Sequence, residues 1–314
     1  MKLRIGTRRS PLALWQAHHV SALLKARESG LELELVEIVT KGDKILDSPL
    51  AKVGGKGLFV KELEEQLLSK GVDLAVHSLK DMPADLPEGL VLAAVPIRED
   101  PRDAFVSRKF ARLEDLPQGA RVGTSSLRRA CQLKAWRKDL EIVSIRGNVQ
   151  TRLRKIDSEL DCGILAAAGL IRLELADRIT ELVEPERILP AVGQGVLAIE
   201  ARAGDAEGLS RLALLEHGKT RVAVTAERSF LRRLGGGCQV PIAAYAQVAG
   251  KTVEFKGMVG HPDGSRVVEF TEKLEYGSLA DVERLGVRGA EAVLARGAQA
   301  ILDEVLGPGG VPES

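Results

Sequence analysis

The chain has 314 residues, enough for two or three domains, and its 45% apolar and 28% charged residues are typical of a soluble globular protein. Its 45 basic and 44 acidic side chains leave a net charge of +1, so no general attraction to nucleic acid or to an anionic membrane is expected. No apolar run is long enough for a membrane span or a signal peptide. The three cysteines are far apart and fit neither a disulfide framework nor a zinc site, which predicts a reduced, cytoplasmic protein without a metal.

Strands and helices alternate from the N-terminus to Val95. Strands are predicted at Lys2–Thr7, Leu31–Val39, Asp73–Ser78 and Leu90–Val95. Ser10 followed by Pro11 predicts the start of a helix, and Leu58–Lys70 has the pattern of an amphipathic helix. This alternation indicates a mainly parallel sheet with helices on both faces.

A second alternating unit follows the REDPRD segment around Pro101. Arg121–Trp136 reads as strand, turn and helix, Cys162–Ala167 reads as a buried strand, and Gly193–Gly195 indicates another crossing point. From about His217 the pattern changes to one long helix, three strands and a final helix over Leu279–Val305. The last part therefore predicts an α+β module.

Two short segments resemble each other: Gly6–Ser10 and Gly123–Leu127 both follow a strand and open a helix. Each places hydroxyls and unpaired backbone N–H groups at a helix N-terminus, which favours a bound anion. Two lobes with such ends facing one cleft would suit a ligand that carries carboxylates. The alternative is that these segments are two ordinary helix caps.

Arginines cluster at predicted strand ends and first helical turns, where α/β folds bind ligands. The cluster comprises Arg8, Arg9, Arg128, Arg129, Arg146, Arg152, Arg154 and Arg172. Guanidinium groups suit planar, bidentate recognition of carboxylates. The densest run, Ile145–Lys155, also fits a solvated basic helix face or a nucleic-acid surface, although aromatic residues for base stacking make up only 3% of the chain.

Two further segments carry candidate chemistry. Ala51–Phe59 is rich in glycine and lysine without the spacing of a phosphate-binding loop, and predicts either a mobile flap or a plain surface loop. Ala75–Pro83 places Ser78, Lys80 and Asp81 at the carboxyl end of a buried strand. A carboxylate there suits general acid–base work or the stabilisation of a cation; the alternative is a surface Lys–Asp pair.

Cys238 follows three consecutive glycines within Glu227–Ala243. Glycine at a helix C-terminus supplies a left-handed turn, and Val240 before Pro241 is restricted to extended backbone. These residues predict a bare loop between a helix and a strand, with the sulfur exposed. The alternative is an ordinary turn with Cys238 packed beneath it, as free cysteines usually are.

Over essentially its whole length, the chain resembles the porphobilinogen deaminase (hydroxymethylbilane synthase) family. Eight segments carry the resemblance in the expected order: RIGTRRSPLALWQA, TKGDKILDSPLAKVGGKGLFVKELE, DLAVHSLKDMP, REDPRDAFVS, VGTSSLRRACQL, IRGNVQTRLRK, LPAVGQG and ERSFLRRLGGGCQVPI. The last is the cofactor-attachment signature of the family. Departures are minor: Arg9 replaces another polar residue of some relatives, and three glycines stand where two suffice.

The resemblance implies two lobes like those of periplasmic binding proteins, with mainly parallel doubly wound sheets, and a C-terminal α+β domain with a three-stranded antiparallel sheet. The expected domains are residues 1–97 plus 194–215, residues 98–193, and residues 216–314, the third of which carries the cysteine loop. The resemblance also implies a cytoplasmic monomer that binds neither nucleic acid nor membrane.

The implied activity joins four porphobilinogen molecules head to tail with release of ammonia, and then releases hydroxymethylbilane. The implied cofactor is a dipyrromethane primer bound through a thioether to Cys238. Asp81, with Lys80 and Arg8, takes the catalytic role. Cofactor contacts are expected from Lys80, Asp81, Ser78, Thr124, Ser125, Ser126, Arg128, Arg129 and Arg146. Substrate contacts are expected from Arg8, Ser10, Phe59, Arg146, Arg152 and Arg172.

The resemblance assigns no role to Arg9 or Arg154, and Cys131 and Cys162 are expected in the core. A non-catalytic, two-lobed module that binds anions or senses an effector is the alternative function. It would explain the arginines and the helix caps but not Cys238, Asp81 or the third domain.

Overall fold

A computed structural model describes residues 2–44, 57–236 and 240–306. The chain forms two compact units: unit 1 contains Met1–Glu99 and Gly195–Arg221, and unit 2 contains Asp100–Gln194 and Val222–Ser314. The predicted division into three domains stays a prediction. No helix within the described ranges is long and apolar enough to cross a membrane.

The elements are numbered along the chain. The strands are β1 (Lys2–Arg8), β2 (Glu32–Ile38), β3 (Leu74–Ser78), β4 (Leu90–Ala94), β5 (Asp103–Val106), β6 (Arg121–Gly123), β7 (Glu141–Val143), β8 (Cys162–Ala166), β9 (Glu181–Val183), β10 (Leu197–Arg202), β11 (Ile242–Ala249), β12 (Thr252–Gly260) and β13 (Val267–Glu275). The helices are α1 (Pro11–Arg27), α2 (Lys41–Lys44), α3 (Lys61–Leu68), α4 (Leu127–Trp136), α5 (Val149–Glu159), α6 (Ala167–Arg172), α7 (Ala206–Leu212), α8 (Gly218–Arg233), α9 (Leu279–Val293) and α10 (Gln299–Leu306).

Each of the two α/β sheets contains one strand that is antiparallel to its neighbours. This strand is β10 in unit 1 and β5 in unit 2, and each comes shortly after the chain passes into that unit at Gly195 or Asp100. In unit 1 the strand order is β2-β1-β3-β10-β4, with β1 parallel to β2 and β3, and β10 antiparallel to β3 and β4. In unit 2 the order is β7-β6-β8-β5-β9, with β5 antiparallel to β8 and β9. The predicted class of two mainly parallel α/β lobes is confirmed. The antiparallel strands β5 and β10 and the edge strand β9 were not predicted.

The sheet of unit 1 is covered on both faces, as the doubly wound prediction requires. On one face, Val20 and Leu24 of α1 pack against Ile5, Leu74 and Ile199 of the strands. On the opposite face, apolar side chains from α3, β3 and β4 form a second cluster. Its buried members are Leu63, Leu67, Val72, Ala75 and Leu90. Burial on both faces explains why β3 begins with three consecutive apolar residues, Leu74–Val76.

The C-terminal part of unit 2 is the predicted α+β module. Strands β11, β12 and β13 form an antiparallel meander, and α8 and α9 pack on it around Phe230 and Phe255. The predicted uninterrupted helix over Leu279–Val305 is wrong: α9 is followed by a π-helical turn over Leu294–Ala298 before α10 begins. Gly297, with a φ of 98°, breaks the helical backbone there.

A group of buried ionisable side chains lies between α3 and the sheet of unit 1. His77 of β3 places its Nε2 atom 3.0 Å from Oε2 of Glu200 on β10, without the alignment of a hydrogen bond. Glu64 of α3 is buried nearby, and its Oε1 atom has no hydrogen-bond partner in the described part of the chain. Burial, and to a lesser extent the negative charges of Glu200 and Glu65, raise the pKa of Glu64 to about 7. The positive charge of Lys61 has a smaller, opposite effect on that pKa.

We predict that Glu64→Gln stabilises the protein more at pH 8.5 than at pH 5.5. Because the folded-state pKa is raised from 4.5 to about 7, the stability associated with the protonated group is lost as the pH rises through that range. The variant cannot ionise, so it avoids a penalty of up to about 3 kcal/mol. The measurement is the melting temperature of variant and wild type at both pH values. Glu88→Gln, an exposed change in the same unit, is the control, and an equal gain at both pH values would contradict the prediction.

Candidate functional site

The candidate residues of unit 1 lie where three parallel strands end, at the carboxyl edge of the sheet. Arg8 is the last residue of β1, Asp43 lies in α2 just after β2, and Ser78 is the last residue of β3. Lys80 and Asp81 follow Ser78 in a single 3₁₀ turn. This edge is where open α/β sheets bind ligands. The predicted placement of Ser78, Lys80 and Asp81 at the carboxyl end of β3 is confirmed, and their role stays a prediction.

Arg8 is held by a carboxylate and an aromatic ring. Its Nε atom donates to Oδ1 and Oδ2 of Asp43 at 3.1 and 3.3 Å, and its Nη2 atom also donates to Asp43. Burial would raise the pKa of Asp43, but the bonds from Arg8 and Thr40 outweigh it and hold that pKa below its usual range. The ring of Phe59 lies over the guanidinium, with its centroid 4.3 Å from Cζ. Phe59, which was expected to contact the substrate, stacks on Arg8 here.

The turn that carries Lys80 and Asp81 is anchored from beneath. Leu79 is buried, its N–H donates to the carbonyl of Val196 at 2.9 Å, and the N–H of Met82 closes the turn on Leu79 at 3.1 Å. The side chains of Lys80 and Asp81 are half-buried. Across the described ranges, no hydrogen bond or ion pair engages the Asp81 carboxylate. A carboxylate on a fixed turn with its oxygens unpaired can exchange a proton with a ligand or stabilise a cation.

The candidate residues of unit 2 occupy the same edge of the second sheet. Thr124–Ser126 connect β6 to α4, and Arg146 lies between β7 and α5. Arg172 is the last residue of α6, which begins directly after β8. The strands β6, β7 and β8 are parallel neighbours, so these three connections lie side by side. The resemblance of Gly6–Ser10 to Gly123–Leu127 extends to the fold, because each segment contains the end of a strand that is second in its sheet and leads into a helix.

The hydroxyls at these helix starts accept hydrogen bonds from the protein. Ser10 accepts from the N–H of Ala13 at 3.3 Å, and Ser126 accepts from the N–H of Arg129 at 3.4 Å. Thr124 accepts from the N–H of Ser126 at 3.2 Å, and Ser78 accepts from the amide of a glutamine on α1 at 2.8 Å. Both segments are thus helix caps. An accepting hydroxyl retains its proton for donation to an anion, so the caps are compatible with ligand binding. Ser125 instead donates to a backbone carbonyl.

Arg128 and Arg129, the arginine pair, are buried in the first turn of α4 and share the carboxylate of Asp103. Nη2 of Arg128 lies 2.8 Å from Oδ2 of Asp103, and Nη2 of Arg129 lies 2.7 Å from Oδ1. Their Nη1 atoms donate to the carbonyls of Leu189 at 2.6 Å and Ile164 at 3.0 Å. Burial opposes ionisation of Asp103, but the two arginines outweigh it and hold its pKa well below the usual range. Burial also lowers the pKa of Arg128.

The remaining predicted arginines differ in exposure. Arg172 is buried, whereas Arg146 and Arg152 are half-buried, and Nε of Arg152 donates to the carbonyl of Gly147 at 2.9 Å. Ser125 links the connections after β6 and β7, because its hydroxyl lies 3.0 Å from that of Ser144. Within each unit, the predicted residues follow the strand ends of that unit's own sheet.

Two predicted features fall on residues that the structure does not describe. Cys238 lies outside the described residues, within the connection from α8 to β11. At the start of that connection Gly235 has a φ of 62°, which confirms the left-handed glycine turn predicted there. Most of the predicted flap, Ala51–Phe59, also lies outside the described residues; only Gly57, Leu58 and Phe59 are described.

Three buried polar residues that hold unit 2 together were missed by the sequence reasoning. Asp103 and Gln194 bond to each other and to the arginine pair, with Nε2 of Gln194 2.8 Å from Oδ1 of Asp103. Glu227 of α8 accepts from the N–H groups of Gly193 at 2.7 Å and Ala246 at 3.0 Å. Each lies within a segment that carried the resemblance to the family, and that membership was the available signal. The neighbours of a buried carboxylate in the sequence do not reveal its partner in the fold.

Family models match both parts of the chain. Residues 3–210 match the model described as "Porphobilinogen deaminase, dipyromethane cofactor binding domain", and residues 221–295 match "Porphobilinogen deaminase, C-terminal domain". The chain belongs to the porphobilinogen deaminase family. Its function is therefore the head-to-tail polymerisation of four porphobilinogen molecules, with release of ammonia, into hydroxymethylbilane on a dipyrromethane cofactor.

Solved structures with a similar course of the chain include nutrient-binding and substrate-binding proteins and periplasmic domains. The Bordetella pertussis BvgS VFT2 domain is 16% identical, over 68% of this chain and 86% of that chain, with a TM-score of 0.42. A putative methionine-binding lipoprotein from Bacillus subtilis is 16% identical over 70% and 92%, with a TM-score of 0.41. A nutrient binding protein from Burkholderia cenocepacia bound to methionine is 16% identical over 67% and 90%, with a TM-score of 0.43. Nothing about the ligand of this chain follows from similarities of this size.

The arginine pair fits the carboxylates of a dipyrromethane. Within the described residues, the Nε atoms of Arg128 and Arg129 are buried and lack a hydrogen-bond partner. Two guanidinium groups share one carboxylate, which leaves one net positive charge in a buried place. Unpaired buried donors with excess positive charge are costly unless an anion binds them. The acetate and propionate groups of a pyrrole are anions of that kind.

We predict that Cys131 and Cys162 resist alkylation in the folded protein. Burial raises the pKa of each thiol to about 12, so almost no thiolate is present at pH 8. The test is peptide mapping after treatment with iodoacetamide at pH 8, with the same treatment in guanidinium chloride as the control. Both residues should be modified only after unfolding. Modification of either one in the native protein at the rate seen after unfolding would contradict the prediction.

Proposed function

We infer that the polymerisation occurs at the Asp81 turn, with Lys80 and Arg8 beside the reacting groups, in a cytoplasmic monomer that acts on porphobilinogen. The observation that carries this proposal is the position of Asp81: its carboxylate stands at the carboxyl end of β3, on an anchored turn, without a partner among the described residues. A non-catalytic binding module is not favoured, because the family match includes the cofactor binding domain.

Asp81 is proposed to act on the charge and the proton that each addition creates. Loss of ammonia from porphobilinogen leaves a cationic, electrophilic methylene carbon conjugated to the pyrrole N–H. A half-buried carboxylate beside it would stabilise the positive charge and accept or return a proton. The ammonium of Lys80 and the guanidinium of Arg8 would bind the acetate and propionate groups and hold the ring against Asp81.

Arg8 supports this proposal because its guanidinium already binds a carboxylate. Asp43 occupies the planar edge that a substrate acetate would use. An incoming carboxylate would displace or share that partner, while Phe59 remains available to cover either the guanidinium or a pyrrole ring. Ser10 and Ser78 would add hydroxyl donors at the same edge.

The residues of unit 2 are proposed to bind the carboxylates of the primer and of the growing chain. Each added ring brings two more carboxylates, so the requirement for cations grows with every step. The proposed contacts are Thr124, Ser125, Ser126, Arg128, Arg129, Arg146, Arg152 and Arg172. When bound, the dipyrromethane supplies the pyrrole carbon on which the chain is extended. Cys238 is proposed to hold it through a thioether, because Cys131 and Cys162 are buried with raised pKa values.

The covalent assignment predicts a mass difference between wild type and Cys238→Ser. The wild-type protein should carry the mass of two linked pyrrole units, and the variant should have the mass of its bare chain. Intact-mass spectrometry of both proteins, before and after incubation with porphobilinogen, is the measurement. An adduct that persists in Cys238→Ser would place the attachment elsewhere. No adduct on the wild type, even after porphobilinogen, would overturn the proposed function.

The catalytic assignment predicts that Asp81→Asn lowers kcat by roughly 10²- to 10⁴-fold, the usual contribution of a positioned acid–base group. Asparagine has the same shape but neither the charge nor the proton affinity, so the melting temperature should change little. Formation of hydroxymethylbilane is followed with the adduct-bearing protein. Glu88→Gln, an exposed change shortly after the same turn, is the control and should leave kcat unchanged. A kcat for Asp81→Asn within tenfold of wild type would remove Asp81 from the chemistry.

A further inference from the structure

Asp103 is a fully buried carboxylate near the candidate site, and none of the roles above uses it. It is the first residue of β5, it is fully inaccessible to solvent, and its two oxygens accept three side-chain hydrogen bonds. Arg128 donates to Oδ2 at 2.8 Å, and Arg129 and Gln194 donate to Oδ1 at 2.7 and 2.8 Å. Gln194 also donates to the carbonyl of Pro101 at 2.7 Å, which fixes the amide.

These contacts determine which edge of each guanidinium remains available to bind a ligand. An arginine presents two Nη groups and one Nε–H in a rigid plane, so the bonds made by one edge fix the direction of the other. In both arginines, Nη2 is bound to Asp103 and Nη1 to a backbone carbonyl. Across residues 2–44, 57–236 and 240–306, the Nε atoms alone lack partners on this pair.

The net charge of these groups also indicates that an anion binds the arginine pair. Two guanidinium groups and one carboxylate leave one net positive charge, and all three groups are buried. A carboxylate of the bound dipyrromethane primer would neutralise that charge and accept the two unpaired N–H groups. Without Asp103 the pair would carry two positive charges, and its Nη edges would be free to rotate toward the ligand in other orientations.

We propose that Asp103 is a positioning residue: it turns the Nε edges of Arg128 and Arg129 toward one carboxylate of the primer and leaves a single positive charge to meet it. This inference rests on the proposed function of the arginine pair. It assigns to Asp103 an effect on the reaction that passes through the two arginines, with no contact between Asp103 and the ligand.

The test is Asp103→Asn, measured against a matched control. Asp73 is also a carboxylate shared by two arginines, with Oδ1 3.0 Å from Nη2 of Arg4 and 3.4 Å from Nη2 of Arg202, and no role in binding is assigned to those residues. Asp73→Asn therefore removes a comparable ion network. For both variants we would measure the melting temperature, the fraction of molecules that carry the primer by intact mass, and kcat and KM for porphobilinogen, with kcat expressed per primer-bearing molecule.

Asp103→Asn should lower kcat per primer-bearing molecule by roughly 10- to 100-fold, the effect expected of a small misplacement of reacting groups. The primer-bearing fraction should also fall, and KM should change less than kcat. Asp73→Asn should lower the melting temperature alone. If Asp103→Asn retains kcat per primer-bearing molecule within twofold of wild type and loses only thermal stability, the residue is merely structural and the inference is overturned.

Asp103→Glu covers the case in which the asparagine variant does not fold. It keeps the negative charge but moves the carboxylate by one methylene, so the positioning role predicts a loss in kcat per primer-bearing molecule here too. A kcat equal to wild type would overturn the inference. A wild-type protein with no adduct and no turnover would overturn the proposed function itself, and that outcome is distinct because it appears before any variant is compared.

Discussion

One buried carboxylate links the parts of unit 2 that meet at its sheet edge. Asp103 joins β5 to the first turn of α4 through the arginine pair, and Arg129 also donates to the carbonyl of Ile164 in β8. Burying three charges costs several kcal/mol per ion unless almost every hydrogen bond is made. The bonds to Asp103, Gln194 and the two carbonyls make most of them. The geometry around the arginines is therefore tightly determined, and any change in one member affects the others.

In unit 1 an arginine at the sheet edge is also held by a carboxylate, but this ion pair is more exposed to solvent. Arg8 and Asp43 are each about one quarter exposed, with Phe59 over the guanidinium. A partly exposed pair costs less to rearrange than a buried one, because water can solvate both groups when they separate. The two sheet edges thus offer different kinds of cation. One is fixed and buried, which suits a permanently bound anion, and the other is exchangeable, which suits a substrate that arrives and leaves.

The parts of the fold with a local signal were predictable from the sequence. Strands β1, β2 and β3 and helix α1 have clear hydrophobic periodicity, and Ser10 with Pro11 marks a helix start that the structure contains. Strands β5, β9 and β10 were missed because they are short or depend on distant partners: β10 is a strand only because β3 and β4 flank it. The break at Gly297 was missed because a single glycine is tolerated in many helices.

In the candidate site, too, the features with a local sequence signal were predictable and the others were not. The positions of Asp81, Lys80 and the arginine pair follow from strand ends and helix starts, which local patterns reveal. The partners of those residues do not, because an ion pair such as Arg128–Asp103 joins residues 25 positions apart through the fold. Phe59 illustrates the limit: its place beside the site was predicted, but its contact with Arg8 depends on how the residues before α3 meet the sheet.

The insertion of β10 between β3 and β4 also affects how the protein is made. The sheet of unit 2 uses strands between Asp103 and Val183, whereas the sheet of unit 1 lacks its fourth strand until Leu197–Arg202 has been synthesised. At typical translation rates the residues between β4 and β10 take roughly 5–20 s to add. During that interval β3 lacks its native neighbour on one side and β4 lacks its only strand neighbour. Such open strand edges pair readily with other chains. The sheet whose synthesis begins first is thus completed after the sheet of unit 2, and its edge stays open until β10 leaves the ribosome.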